Sequence, residues 1–367
     1  MEKIENERLL KILQHFPEIG PVSEIVPLTS GLINQTYKVV TELPGQCDYV
    51  LQCINHHVFT NVLLLQRNIE LVTRHIRQKL EARGETDIRR KVLRFVPTEE
   101  EVTYYFTGEE YWRVCEFIPR PKTLEAVTPE TSYLVGLKFG EFEAMLADLP
   151  ERLGETIPDF HNMEFRLAQL REAVEADKAG RLEGVREIAE ALLKDGDDMC
   201  VAERLYREGK LPKRICHCDT KVSNMLFDEE GDVLCVIDLD TTMPSFVFSD
   251  FGDFLRSAAN TAPEDEPDVE KIHFNADVFR SFAKGYLESA AAFLTDLEKE
   301  MLPYAVALFP YMQAVRFFAD YLNGDTYYRI QYPEHNLVRT RAQLKLYQEV
   351  LQATPMMRDY IQELTRP

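Results

Sequence analysis

The strongest constraint on the fold is a change of pattern at Pro119-Arg120-Pro121. Before it, short runs of β-branched and aromatic residues are separated by Gly, Pro and acidic turns, which is typical of strands. After it, apolar residues recur mostly at helical intervals. The sequence therefore predicts an α+β chain with two lobes: a β-rich N-terminal lobe over residues 1–118 and a mainly helical C-terminal lobe over residues 119–367.

Within the N-terminal lobe we expect one small sheet interrupted by a single helix over residues 62–80, where Leu65, Ile69, Val72 and Ile76 recur at helical spacing. The predicted strands cover residues 25–28, 35–41, 49–54, 92–97, 103–106 and 112–117. The predicted helices of the C-terminal lobe begin near residue 130 and continue near residues 163–176, 184–207, 276–293, 295–324 and 339–365. A hairpin over residues 224–240 is the main exception there.

Charge and composition restrict the partners of the chain. Its 42 basic and 62 acidic residues give a net charge of −20, which disfavours a whole-surface attraction to nucleic acid or anionic lipid. The longest charge-free stretch, residues 301–315, contains two prolines and is too short to span a bilayer. We therefore expect no membrane segment. The first residues alternate in charge and form no apolar run of a secretory signal, so we expect a cytoplasmic protein. The seven cysteines lack a Cys-x-x-Cys pair, which predicts reduced thiols.

The hairpin carries the residues that point to chemistry. It follows the run His217-Cys218-Asp219-Thr220-Lys221-Val222-Ser223-Asn224, and its second strand leads into Asp238-Leu239-Asp240. A turn at residues 228–231 would fold the strands back and bring Asn224 near Asp238. An amide oxygen and a carboxylate, without a closed protein cage, suit Mg²⁺ that also carries phosphate oxygens and water.

The loop before the hairpin supplies the remaining groups. Asp219 is suited to act as a base or to orient an attacking hydroxyl, and Lys221 to neutralise charge on a transferring phosphoryl group. The alternative is a hydrogen-bonded loop in which Asp219 only caps a turn. Asp250-Phe251-Gly252 spells the metal-binding tripeptide of protein kinases but lies well beyond the hairpin. We therefore expect Asp250 and Asp253 to brace a helix start and to hold the backbone of the loop.

The His-x-Asp-x-x-x-x-Asn pattern followed by a strand-end Asp resembles the protein-kinase-like phosphotransferases. Over nearly the whole chain the resemblance is to the N-acetylhexosamine 1-kinases, a branch of the aminoglycoside phosphotransferase group. The runs that carry it are H-C-D-T-K-V-S-N at 217–224, I-D-L-D-T-T-M-P at 237–244, D-F-G-D at 250–253 and R-F-F-A-D-Y-L-N-G-D at 316–325, with G-L-I-N-Q-T-Y at 31–37, Q-C-I-N at 52–55 and W-R-V-C-E-F-I at 112–118 in the places of the nucleotide loop, third strand and hinge. It implies ATP-dependent phosphorylation of the anomeric hydroxyl of N-acetylglucosamine or N-acetylgalactosamine.

The resemblance also implies roles for single residues. Asp219 is the base that meets the sugar, Asn224 and Asp238 hold Mg²⁺, and ATP is the co-substrate. The other residues implied for the sugar pocket are Thr241, Arg316 and Tyr327. For Arg316 the alternative is a surface ion pair with Asp320, one helical turn further on. Asn323-Gly324 is predicted to end that helix and to place Tyr327 on the loop beyond it.

The nucleotide site is implied at Gln52 and at the hinge residues Glu116, Phe117 and Ile118, of which the last two would present backbone groups to adenine or form an apolar connector. Two positions depart from the family pattern. Leu32 stands where familiar members have His, which leaves the preferred sugar open. Gln52 stands where protein kinases place a phosphate-binding Lys, and a neutral amide offers hydrogen bonds but no charge.

Two other functions compete with the sugar kinase. The same fold would serve a kinase of another small alcohol, such as an amino alcohol, homoserine or an aminoglycoside, and the acidic surface would suit a cationic substrate. From a different class, the chain would be a catalytically silent kinase-like protein that binds nucleotide or sugar, a reading that only Gln52 favours. The sequence holds no Gly-x-x-x-x-Gly-Lys-Ser/Thr motif, which argues against a P-loop kinase.

Overall fold

In a computed structural model of the chain, residues 2–28, 33–42, 45–124 and 127–366 are described. Gly31 and Leu32 of the predicted nucleotide loop lie outside these residues. The chain forms two compact units. The first comprises Met1–Thr123, Asp148–Pro158 and Met225–Met243, and the second comprises Leu124–Ala147, Asp159–Asn224 and Pro244–Pro367.

The first compact unit also includes residues 119–123, 148–158 and 225–243, which the predicted lobes assign to the C-terminal part of the chain. The hairpin joins it because its apolar side chains share a small core with Ile118. Lys122 and Phe227 also exchange backbone hydrogen bonds of 2.8 Å in both directions. The change of sequence pattern at residues 119–121 therefore does not coincide with the boundary between the compact units.

The strands, in chain order, are β1 Val22–Leu28, β2 Gln35–Thr41, β3 Tyr49–Ile54, β4 Tyr105–Phe106, β5 Tyr111–Glu116, β6 Arg214–Cys216, β7 Met225–Phe227, β8 Val233–Val236 and β9 Met243–Ser245. The helices are α1 Glu2–Leu13, α2 Val62–Ala82, α3 Ile88–Lys91, α4 Pro129–Leu146, α5 Met163–Ala176, α6 Arg186–Met199, α7 Val201–Arg207, α8 Phe248–Ala258, α9 Ala276–Ala290, α10 Asp296–Glu300, α11 Leu302–Leu322 and α12 His335–Thr365.

The first unit is built on a five-stranded antiparallel sheet in the order β1-β2-β3-β5-β4. Its core contains Val39, Leu51, Trp112 and Val114, all fully buried. Helix α1 was not predicted, although Leu9, Ile12 and Leu13 pack into this core with Phe16 just beyond the helix. Their spacing is helical, but the charged residues between them masked the pattern.

The predicted strand at residues 92–97 is wrong. The free edge of β5 is instead shared by two short segments: β4 pairs with Tyr111 and Trp112, and Phe95 forms an isolated bridge with Cys115. Because β5 has only 6 residues, neither segment has room to form a longer strand.

The second unit is helical, with α11 at its centre: nearly all of its 21 residues are buried, including Pro310 inside the helix. The predicted helix at residues 295–324 is broken at Met301 into α10 and α11. Residues 184–207 likewise form α6 and α7 rather than one helix. All seven cysteines are free thiols, as expected. Among the described residues, no helix combines the length and the apolar character needed to cross a membrane.

Helices α4 and α9 approach each other closely because glycines face the partner backbone. A Cβ added at Gly285 would lie 2.1 Å from the carbonyl oxygen of Tyr133, and one at Gly136 would lie 2.3 Å from that of Phe282. A real Cβ does not tolerate such distances, so the two helices would have to move apart.

We expect Gly285→Ala to lower the free energy of unfolding by about 1–3 kcal/mol through this overpacking. Gly184→Ala is the matched control, because a Cβ there meets nothing within 4 Å. Urea unfolding of both variants measures the difference. Equal stability of the two variants would contradict the close helix contact.

Candidate active site

The loop from His217 to Thr220 is held by the first turn of α8. Asp250 accepts hydrogen bonds of 2.7 Å from the backbone N–H groups of His217 and Cys218, one at each carboxylate oxygen. Thr220 donates its hydroxyl to the carbonyl of Asp250 at 2.9 Å. The expectation that Asp250 braces the loop is confirmed, and this carboxylate is therefore spent on positioning.

Three predicted site residues of the second unit are brought together. The Lys221 ammonium lies 2.7 Å from one oxygen of Asp219. The Asn224 side-chain N–H group donates to the carbonyl of Asp219 at 2.8 Å and to its second carboxylate oxygen at 3.1 Å. Cys218 adopts a left-handed backbone, with φ of 63°, which costs a non-glycine residue energy and persists only where surrounding contacts enforce it. The carboxylate of Asp219 is thus oriented from two sides.

The residues predicted to hold a metal carry suitable donor atoms. Because the Asn224 nitrogen faces Asp219, its amide oxygen points the other way and is the atom a hard cation would use. Asp238 belongs to the first unit, is exposed, and adopts a left-handed backbone with φ of 58° just before a short 3₁₀ helix, Leu239–Thr241. An amide oxygen and an exposed carboxylate fit Mg²⁺.

A second carboxylate lies beneath the loop anchor. Glu143 on α4 is buried, accepts a hydrogen bond from the hydroxyl of Tyr286, and has ligand atoms within 4.8 Å of those of Asp250 and Cys216. Burial, and next the nearby charge of Asp250, raise the pKa of Glu143 well above its ordinary value. Two carboxylates this close do not both ionise, so Glu143 is the protonated partner.

In the first unit, Gln52 is paired with a charge that sequence reasoning missed. Gln52 donates to the Thr36 hydroxyl at 3.2 Å and accepts from Nε of Arg113 at 3.0 Å. Arg113 is directly opposite Gln52 in the β3–β5 register and is only 2% exposed. Its guanidinium lies 2.6 Å from Asp240. The sequence did contain a signal for this pairing. Arg113 lies inside the largely apolar run 111–118, and a buried charge requires a partner.

The predicted hinge residues follow β5 or end it. Glu116 is ion-paired with Arg89 at 2.7 Å and with Arg94 at 2.9 Å. The N–H of Phe117 donates to the carbonyl of Asp48 at 2.8 Å, so this donor is already engaged. Ile118 is buried with residues of the hairpin. Their proposed contacts to adenine stay predictions.

Around Arg316 the second unit gathers aromatic rings. The guanidinium carbon lies 5.5 Å from the ring centre of Phe160 and 5.6 Å from that of Tyr328, and Arg316 donates to Gln313 at 3.2 Å. The alternative of an ion pair with Asp320 is wrong. The Asp320 carboxylate accepts the backbone N–H groups of 326–328 at 2.9 to 3.0 Å.

Asp320 therefore shapes the loop that carries Tyr327. The helix ends at Asn323 and Gly324, with φ of 94° at the glycine, as predicted. Tyr327 then stands on the loop, 70% exposed. Thr241 is buried in the first unit, and its predicted contact to a sugar stays a prediction.

A second arginine lies near the first. Arg166 hydrogen-bonds the carbonyl of Phe160 at 2.8 Å and the amide of Gln169 at 2.9 Å. Burial, and next the charge of Arg316, lower the pKa of Arg166 to about 10. Burial also lowers the pKa of His161 to about 3, so its ring is neutral at pH 7. The hydrogen-bond partners of both arginines are neutral groups, and their two positive charges exceed the single negative charge of Asp159, which also acts on Arg166.

Comparison with known proteins identifies the family of the chain. The family model of APH, the phosphotransferase enzyme family, matches residues 24–293. The chain belongs to the APH phosphotransferase family. Asp219, Lys221, Asn224 and Asp238 all fall inside the matched residues of this APH phosphotransferase.

Solved structures show the same kinase-like fold at low identity. An amicoumacin kinase in complex with AMP-PNP, Ca²⁺ and Ami has a TM-score of 0.59 at 13% identity, over 95% of this chain and 96% of the other. A spectinomycin phosphotransferase with ADP and spectinomycin has a TM-score of 0.57 at 14% identity, over 95% and 98% of the two chains. An ethanolamine kinase of Plasmodium vivax has a TM-score of 0.55 at 14% identity, over 90% and 86%. The β-rich N-terminal and helical C-terminal parts of the APH phosphotransferase are thus confirmed as a kinase-like fold.

The protonated Glu143 makes the stability of this APH phosphotransferase depend on pH. Its pKa is raised in the folded state, so its contribution is complete below the unfolded pKa of about 4.3 and is lost as pH rises towards the folded value, by at most about 1.4 kcal/mol per pH unit. Glu143→Gln keeps the shape of the side chain with one hydrogen-bond acceptor and a donor group, and it removes the titrating carboxyl group. We expect the variant to gain stability relative to the parent as pH rises from about 5 to about 7. Urea unfolding across that pH range measures the difference in free energy of unfolding between the variant and the parent. A difference that does not change with pH would mean that Glu143 is charged in the folded protein.

Proposed function

We propose that this APH phosphotransferase transfers the γ-phosphoryl group of MgATP to the anomeric hydroxyl of an N-acetylhexosamine, N-acetylglucosamine or N-acetylgalactosamine, and so forms the sugar 1-phosphate. The observation that carries the proposal is the Asp219 carboxylate, oriented by Lys221 and Asn224 on a loop that Asp250 holds rigid. A positioned carboxylate beside an amide and an ammonium group is what in-line phosphoryl transfer requires of a protein.

In the proposed reaction Asp219 accepts the proton of the anomeric hydroxyl of the sugar. The oxygen of that hydroxyl at the same time forms a bond to the γ-phosphorus. The bond between this phosphorus and the bridging oxygen of ADP breaks, and ADP leaves with that electron pair. Lys221 would neutralise charge that develops on the transferring phosphoryl group, because its ammonium group lies 2.7 Å from the carboxylate of Asp219.

Asn224 and Asp238 are the proposed metal ligands. Asn224 directly precedes β7 and Asp238 follows β8 after one residue, and Met225 is paired with Val236 in the hairpin between them. When bound, Mg²⁺ would neutralise phosphate charge and align the leaving group. The hydrogen bonds from the Asn224 nitrogen to Asp219 would couple the orientation of this ligand to that of the base.

The positive cluster around Arg166 and Arg316 supports a neutral acceptor. The ethanolamine kinase of similar fold suggests an amino alcohol as the alternative, but an ammonium group would be repelled by two nearby guanidinium groups. In an N-acetylhexosamine the amine is an amide and carries no charge. The hydroxyl and carbonyl oxygens of the sugar are acceptors that arginine donors match, and the rings of Tyr327, Tyr328 and Phe160 suit its apolar face.

Replacing the acid groups tests the reaction. We expect Asp219→Asn to lower kcat by at least about 100-fold while sugar affinity is largely kept, since general-base catalysis contributes about 10²–10⁴-fold. Asp238→Asn should abolish Mg²⁺-dependent turnover. Asp232→Asn, on the exposed turn of the same hairpin, is the control and should keep parental turnover. The assay is release of ADP with N-acetylglucosamine and N-acetylgalactosamine, and product identity is read by phosphorus NMR. Near-parental rates in both site variants would refute the assignment.

A matched pair of acceptors tests the role of charge. N-acetylglucosamine and glucosamine differ in the acetyl group and in the positive charge of the free amine. We expect kcat/KM to be at least about 10-fold higher for the acetylated sugar and the ratio to shrink in Arg316→Gln, because each 1.4 kcal/mol of repulsion is tenfold. The control is Arg186→Gln, an exposed arginine on α6. A preference for glucosamine, ethanolamine or choline would favour the amino-alcohol alternative instead.

A further inference from the structure

Arg113 and Asp240 form an ion pair that is almost completely buried. Each residue is 2% exposed, and the guanidinium nitrogen lies 2.6 Å from the carboxylate oxygen. Taking two charges out of water is costly, and their attraction offsets that cost only with excellent geometry. A hydrophobic pair of similar volume would stabilise the fold at least as well. The pair therefore calls for an explanation other than stability.

Arg113 uses its donors to join separate segments of the first unit. Nε donates to Gln52 on β3 at 3.0 Å, and Nη1 donates to Gln66 on α2 at 3.1 Å. The same nitrogen lies against Asp240 beyond β8. Such divergent contacts match the planar fork of a guanidinium and do not match the single point charge of a lysine. The contacts with β3 and α2 therefore fix the position of the Arg113 side chain against which Asp240 lies.

Asp240 extends the link to the nucleotide loop. Its second oxygen accepts a hydrogen bond of 2.7 Å from the side-chain nitrogen of Asn34. The Asn34 oxygen in turn accepts from the backbone N–H of Asn55 at 2.9 Å. One carboxylate thus holds the residue that ends the loop before β2 and is itself held by β5.

Asp240 also stands two residues after Asp238, the proposed metal ligand. The short helix Leu239–Thr241 leaves little freedom between them, and Asp238 has a left-handed backbone with φ of 58°. A non-glycine residue keeps such a conformation only when its surroundings enforce it. Anchoring Asp240 at a buried charge supplies that enforcement.

We propose that Arg113 is the positioning residue of the metal and nucleotide segments: through Asp240 it fixes the direction of the Asp238 carboxylate and the place of Asn34. The inference rests on the proposed function, since it assumes that Asp238 meets the metal of MgATP. It also assigns a role to Gln52. The cation that the third strand lacks stands on the neighbouring strand, and Gln52 serves as its acceptor. Because Arg113 is buried, it acts through Asp240 and not by touching phosphate.

The test measures nucleotide binding, so that it is independent of the acceptor and of turnover. Binding of AMP-PNP is followed by calorimetry with Mg²⁺ and again with EDTA, and the ratio of the two dissociation constants is the readout. The principal variant is Arg113→Met combined with Asp240→Leu, which removes the pair without leaving a buried charge. Arg113→Lys keeps the charge but loses the fork. Gln66→Met is the matched control, because it removes another buried partner of Arg113 and leaves Asp240 in place.

We expect the double variant to remain folded. The factor by which Mg²⁺ tightens AMP-PNP binding should be at least about tenfold smaller than in the parental protein, as is typical when a residue that orients a metal ligand is lost. Arg113→Lys should show a smaller decrease of the same factor. Gln66→Met should show the parental tightening even where its melting temperature falls. A pair without a positioning role would leave the Mg²⁺ ratio of the folded double variant at the parental value, whatever its melting temperature. If the double variant does not fold, Arg113→Lys decides by the same ratio.

The outcomes separate this inference from the proposed function. Parental protein that binds AMP-PNP equally with Mg²⁺ and EDTA would overturn both. A normal Mg²⁺ effect in the parental protein that is unchanged in the folded double variant, or in folded Arg113→Lys, would overturn only the role of Arg113.

Discussion

A single carboxylate, that of Asp250, holds the loop from His217 to Thr220 in the second unit. The N–H groups of His217 and Cys218 are buried and have no strand or helix to pair with, and a lost partner for such a group costs about 1–3 kcal/mol. Asp250 satisfies both, one with each oxygen. Helix α8 is held in turn by a cluster of buried rings that includes Phe251, Phe254, Phe282 and Tyr286. Loop geometry therefore depends on aromatic packing well away from the residues that the loop presents.

How much of this was predictable follows from the range of the interactions. Strands β2 and β3 and helices α2 and α5 were predicted closely, because alternation and helical spacing are local signals. The proximity of Asp219, Lys221 and Asn224 was predictable because they stand within six positions of one another. The brace at Asp250 was expected from its place at a helix start.

What sequence reasoning missed involves residues far apart in the chain. Arg113 meets Asp240, Glu143 meets Asp250, and Arg166 lies near Arg316. No spacing rule connects positions separated by a hundred residues. The clue in each case was a charged residue embedded among apolar ones, which indicates that a partner exists. It does not say which residue the partner is.

The edges of the five-stranded sheet have a consequence for how the protein behaves at high concentration. Exposed edge strands are templates for pairing with another chain. Here one edge strand, β4, is 2 residues long. The other, β1, contains Pro27 and a register irregularity between Val22 and Glu24. Proline lacks the N–H group that a docking strand would need, and a bulge twists the edge away. Neither edge of the sheet, in the described residues, offers a long and flat row of backbone groups to a strand of another molecule. Pairing between molecules is therefore disfavoured by the short β4 and by the proline and irregularity of β1, as well as by the acidic net charge.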